Sequence, residues 1–228
     1  MKKILLGLTT ITNWRGKIEE IFRYGIEEVS LFPTFLKTKE REELYKILEK
    51  SPLQNIPHVH LRGDMGLEEL EYLIKRYHAK VFNIHADGGE FPYKLDYSKY
   101  AKMIYVENSD MVPALKELKK YGGVCIDFSH WENGILRNDK EYFNFEKKVK
   151  KFKIGCCHVS AIKKELAKEL DVEIKRRMSY SSHLLKDYHE LDYMKKYKKF
   201  LPNFISIELE NPLREQLKIK KYLEKIIK

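Results

Sequence analysis

Apolar positions along this chain follow two alternating periods. Short runs of β-branched and apolar residues, at 4–11, 27–32, 55–61, 79–86, 102–108, 123–129, 152–160 and 203–210, read as strands. Between them lie stretches with apolar residues at i, i+3, i+4 and i+7, the spacing of a helix with one buried face. In 66–78, for example, Leu67, Leu70, Leu73, Ile74 and Tyr77 fall on one stripe. Similar stretches begin at Trp14, Lys39, Val112, Lys140, His189 and Arg214. Gly25, Gly122 and Gly123 follow helical stretches and fit C-cap positions.

Strands that alternate with helices pair in parallel through right-handed crossovers. Eight such units, averaging about 28 residues, close into a barrel more readily than they extend an open sheet. The expected fold is therefore α/β, a single (β/α)8 TIM-barrel domain over residues 1–228. No GxGxxG follows the first run and no GxxxxGK[ST] occurs, so a nucleotide-binding open sheet lacks support. No apolar stretch is long enough for a membrane span. The opening MKKILLGL has a short apolar core and leads into Thr9, Thr10 and Thr12, with no small-residue cleavage site, so it reads as the first strand.

Composition narrows the picture further. With 43% hydrophobic and 12% aromatic residues the chain is not a disordered one. Three cysteines, two of them adjacent (Cys156 and Cys157, with Cys125 apart), make no disulfide framework and point to the reducing cytoplasm. The net charge of +10 comes mainly from lysines on polar helix faces, a solvated surface that also attracts phosphates on nucleic acid or on a sugar.

The chemistry lies at the ends of the runs. The third ends in His60, with His58 two residues earlier, the fourth in His85 and the fifth in Glu107. The sixth ends in Asp127, followed by His130, the seventh in His158, and the eighth in Glu208 and Glu210. In a barrel all these ends converge on one mouth. Imidazoles and carboxylates are the ligands that zinc, manganese or cobalt accept, and this number of donors suits one to three divalent ions. Glu208 and Glu210 alternate onto one face, so either or both can point inward. His183 and His189, in the long segment 161–200, are read as part of a mobile loop that closes the site from above, with Arg176 and Arg177 as a phosphate clamp. Trp14, Phe32 and Trp131 are possible apolar walls.

The order Glu107, Asp127-Phe128-Ser129-His130, His158, Glu210 resembles the xylose isomerase-like TIM-barrel superfamily, which includes sugar and sugar-phosphate isomerases and epimerases and the endonuclease IV family. The resemblance implies a shared metal set of Glu107, Asp127, His158 and Glu210 (or Glu208). The extra histidines of the endonuclease branch would fall on His60, His85 and His183, and Glu210-Asn211-Pro212 is similar to that branch's Glu-Thr-Pro. The chain departs from that branch at Ser181-Ser182-His183, which lacks an Asp unless Asp187-Tyr188-His189 replaces it, and at His85-Ala86-Asp87, where the branch has His-Pro-Gly. Its second run, VSLFP, lacks the Glu common in the sugar branch.

Two functions follow from this resemblance. The leading one is a divalent-metal-dependent isomerase or epimerase of a sugar or sugar phosphate. In it Glu107 and Glu210 exchange a proton at carbon, and His130 joins the metal set or binds a substrate hydroxyl. The alternative is a multinuclear-zinc apurinic/apyrimidinic endonuclease acting on DNA. His60 and His85 speak for it, because a mononuclear sugar site does not need them.

Overall fold

The computed structural model describes residues 2–87, 95–109, 111–168 and 178–228. Its main sheet contains β1 (Lys3–Leu5), β2 (Gly7–Thr9), β3 (Ser30–Phe32), β4 (His58–His60), β5 (Val81–His85), β6 (Ile104–Glu107), β7 (Val124–Asp127) and β8 (Ile154–Val159). A hairpin of β9 (Ala161–Lys168) and β10 (Met178–Ser182) follows, and β11 (Phe204–Ile207) returns to the sheet. β1 and β2 are halves of one strand interrupted at Leu6. β1 pairs with β11 and β2 with β3, and all pairs between are parallel, so the sheet closes into a (β/α)8 barrel.

The helices are α1 (Trp14–Tyr24), α2 (Thr38–Leu48), α3 (Leu67–Tyr77), α4 (Leu115–Lys120), α5 (Phe128–Leu136), α6 (Lys140–Phe143), α7 (Phe145–Val149) and α8 (Leu213–Ile226). Asn13 caps α1 by accepting from the Gly16 N–H, and Gly25 ends it with φ 58°. α3 buries Leu70, Leu73 and Tyr77 from the expected stripe. The stretch 140–152 is divided at Asn144 into α6 and α7, and Tyr188–Phe200 winds as a 3-10 helix.

Period-2 alternation separates two interiors. Ile4, Leu8, Leu31, Val59, Phe82, Ile84, Val106, Ile126, Val159, Ile205 and Ile207 join the helices in one large apolar core outside the barrel. The opposite faces line the barrel itself. Its lower part holds Val81, Tyr105, Cys125, Cys156 and Phe204. Above come Ser30, His58, Asn83 and Ser206, and then Phe32, His60, His85, Glu107, Asp127, His158 and Glu208. Branched apolar side chains usually fill such a barrel. Here buried polar groups take their place, and each needs a partner.

The seam between first and last strands is closed by a side chain. Gln216 of α8, fully buried, accepts from the Gly7 N–H at 2.7 Å and donates to the carbonyls of Gly7, Leu209 and Asn211 at 3.1, 3.0 and 2.9 Å. A Cβ on Gly7 would stand 1.8 Å from the Ile207 carbonyl oxygen, so the first strand passes the last only without a side chain there.

Candidate metal centre

Six side chains from six barrel strands, or from the residue just beyond one, meet at the mouth. In each case the last inward-facing position carries the donor. Ser206 is in register with His158, and the Glu208 N–H continues the ladder onto the Val159 carbonyl at 2.9 Å. Glu208 is therefore the next inward residue above that pair.

The donors form two adjoining sets. His60, His85 and Glu107 offer ligand atoms within 4.8 Å of one another, as do Glu107, Asp127, His158 and Glu208. Glu107 belongs to both. Its Oε2 lies 2.9 Å from His60 Nε2 and 3.9 Å from His85 Nε2, and its Oε1 lies 3.4 Å from His158 Nδ1. His158 Nδ1 is also 3.1 Å from Glu208 Oε2 and 3.9 Å from Asp127 Oδ2.

The hydrogen bonds around His60 and Asp127 leave acceptors facing one another with a place for a proton or a cation. His60 Nδ1 faces the Leu61 carbonyl at 3.1 Å, which can only accept, so Nδ1 carries a hydrogen. In the neutral ring Nε2 is then a bare lone pair, and it faces Glu107 Oε2 at 2.9 Å and His85 Nε2 at 3.1 Å. Acceptors at that spacing need a proton or a cation between them. Asp127 places Oδ1 on the His130 N–H and Ser129 hydroxyl, both at 2.7 Å, while its buried Oδ2 has no hydrogen-bond partner among the described residues. Donors bound to one zinc at about 2.1 Å in a tetrahedron stand about 3.4 Å apart, comparable to the spacings here. The residues fit divalent metal.

The ionisation states agree. Burial opposes charge on His158, yet Glu107 and Glu208 hold its pKa well above the usual imidazole value. Burial also opposes charge on Glu107, but His158 and His60 keep it well below the usual carboxylate value. Glu208 comes down to about 2 despite burial, through His158. Burial pulls His85 down to about 4 and pushes Asp127 up. An imidazolium at His158 thus supplies, without metal, part of the charge that the surrounding carboxylates demand.

Other residues singled out from the sequence take different places. Glu210, expected from the sequence as a metal ligand and acid/base partner of Glu107, falls in neither set. It accepts from the Thr12 hydroxyl at 2.5 Å and N–H at 3.2 Å and pairs with the buried Lys17 at 3.3 Å. Glu208 holds the strand-end position. His130 also lies outside the converging donor groups. It lines a polar cleft of about 330 Å³ with Ser109, Asn133, Arg137, Asp139 and Tyr142. His183 approaches from β10, with Nε2 3.9 Å from Glu208 Oε1. His189 is exposed and paired with Asp192 at 3.0 Å, and Asp187 caps its own helical segment. Phe32 forms a wall, its ring 5.0 Å from that of His158. Trp131 packs among Phe128, Phe145, Tyr197 and Phe200 in the outer core. Arg176 and Arg177 lie outside the described residues. Lys17 and Asn83 gave no sequence signal, because a lysine on a helix and an asparagine in an apolar strand carry no spacing that marks them.

No family model matches the chain, and no curated protein matches it. Among solved structures it is similar to "AP endonuclease, family 2" from Brucella melitensis, at 10% identity over 95% of this chain and 97% of that chain, with a TM-score of 0.45. At that level of likeness the functional reading has to stand on the chemistry of the site.

Proposed function

We propose that this protein is a two-metal phosphodiesterase acting on DNA at abasic sites. The observation that carries the proposal is the division of Glu107, whose two oxygens address two different donor sets. A carboxylate shared in this way suits a pair of ions, and His60 with His85 would be surplus in a site for one. When bound, the ions supply Lewis acidity toward a phosphoryl oxygen and lower the pKa of water at the site. The protein's own groups would do the rest. His60, His85 and Glu107 would hold one ion, and Glu107, Asp127, His158 and Glu208 the other. His183 stands beside Glu208, and Phe32 walls the lower side against water. The cleft beside His130 presents Arg137, which forms no ion pair among the described residues, to an anionic substrate. The net charge of +10 favours a polyanion.

A nicking assay on duplex DNA with one abasic site, run with zinc at several salt concentrations, tests this reading. Cleavage that weakens steeply with salt supports it, and no cleavage under any condition overturns it. Metal content by mass spectrometry should give two ions per chain.

A second reading, a sugar or sugar-phosphate isomerase, is favoured by the completeness of the four-donor set around one ion. Glu107 and Glu208 would then be the proton-transferring pair in place of Glu107 and Glu210. A single exchangeable manganese or cobalt per chain, with aldose–ketose interconversion, would establish it.

A further inference from the structure

Below the metal donors, three buried side chains link the last strand to Glu107. Ser206 Oγ lies 2.7 Å from His58 Nδ1, His58 Nε2 lies 2.9 Å from Asn83 Oδ1, and Asn83 Nδ2 lies 2.5 Å from Glu107 Oε2. Ser206, His58 and Asn83 are each 0% exposed. Nothing in the two-metal chemistry itself requires them.

The directions of the two bonds nearest Glu107 follow from one end, and that of the third from a neutral His58 ring. An ionised carboxylate only accepts, so the Asn83 atom on Glu107 is the amide nitrogen. The amide oxygen then faces His58 Nε2, which must carry a hydrogen. With the ring neutral, Nδ1 is bare and receives the Ser206 hydroxyl. Each donor points toward Glu107.

We propose that Ser206, His58 and Asn83 form a one-way hydrogen-bond chain that sets the rotation of the Glu107 carboxylate, with Asn83 as its positioning residue. The Asn83 amide occupies one lone pair of Oε2, leaving the other toward His60 and His85, and Oε1 toward His158. Glu107 is thereby held across the two donor sets. Without the amide it is free to turn both oxygens onto one set. Partners behind metal ligands have this orienting role, and their loss typically costs about 10- to 100-fold in metal affinity.

The proposal rests on the two-ion reading for its consequence but not for its geometry, and two measurements separate these. Nitrogen NMR of the wild-type protein should show His58 with a pyrrole-type Nε2 and a pyridine-type Nδ1. A hydrogen on Nδ1 overturns the chain whatever the metal content. In zinc titrations Asn83→Leu, checked for folding by circular dichroism, should keep one site near wild-type affinity and weaken the other about 10- to 100-fold. Ser206→Ala, which removes only the far end, should shift the same site in the same direction by less. If folded Asn83→Leu binds two ions as tightly as wild type, the positioning role is wrong. If wild type binds only one ion, the two-ion reading falls, while the His58 tautomer still decides the chain.

Discussion

Glu107 and Glu210 are both acids at strand ends, yet their surroundings give them opposite roles. Glu107 faces three imidazoles and one amide. Glu107→Gln keeps the volume but removes the charge both donor sets share. It should abolish turnover and reduce bound metal below one ion per chain, with an unchanged circular dichroism spectrum; retained turnover would contradict the assignment. Glu210 is spent on Lys17, whose ammonium also reaches the Thr9 hydroxyl and the Leu209 carbonyl. Burial lowers the Lys17 pKa against the pull of Glu210. Lys17→Met leaves a largely buried acid uncompensated and should cost about 3 kcal/mol in urea denaturation, with metal content unchanged. Loss of metal in that variant would return Glu210 to the site. The choice between Glu208 and Glu210 was not legible in the sequence, because residues two apart share a face. What separates them in the structure is a lysine from a helix some 190 positions away, which pairs with Glu210.

At the scale of elements, the runs that became barrel strands were readable because apolar content and turn residues marked their limits, and the donors stood at their ends. Two elements escaped. α5 begins at Phe128, directly after β7, because Asp127 is at once the strand's last residue and the helix N-cap. A residue serving both leaves no polar gap to mark the boundary, so the apolar run extends to 129, two residues into the helix. The hairpin of β9 and β10 lies in a segment whose sequence predicts a loop, because AIKKELAK carries neither clean alternation nor a turn signal. The Glu210 N–H bonds the His183 carbonyl at 2.6 Å, tying that hairpin to the rim. Two substitutions probe this level. Gly7→Ala drives a Cβ into the Ile207 carbonyl and should destabilise the protein by about 3 kcal/mol, seen as a lower thermal midpoint. Arg137→Ala, on the last turn of α5, should raise KM for a phosphorylated substrate while leaving kcat within about twofold; an equal loss in both would place Arg137 at the reacting atoms.

Across the whole molecule, most apolar packing lies in the shell between sheet and helices, and polar and titratable groups line the barrel's interior above its lower apolar layer. The metal-free protein should therefore be acid-labile. His85, lowered to about 4, stays neutral in the folded state while the unfolded chain takes up a proton, so stability is lost as pH falls from about 6.5 to 4. That difference is worth about 3 kcal/mol. Glu208, lowered to about 2, adds a loss as pH falls below 4.5. Asp127, raised by burial, works the other way just above 3.8. The His158 contribution is intact below 6.5 and is lost only on the alkaline side, through its raised pKa. Thermal melts of chelator-treated protein should show a midpoint falling from pH 7 to 4, and a flat profile would contradict these states. Gln216 has a consequence of another kind. The seam it fills joins Gly7 to a helix residue 209 positions later in the chain. During synthesis β1 must wait with one edge bare while the intervening residues emerge, and the ring closes only once residues 204–226 have followed. A nascent chain halted before them would expose a free β edge, the form of this protein most open to capture by chaperones or by its own kind.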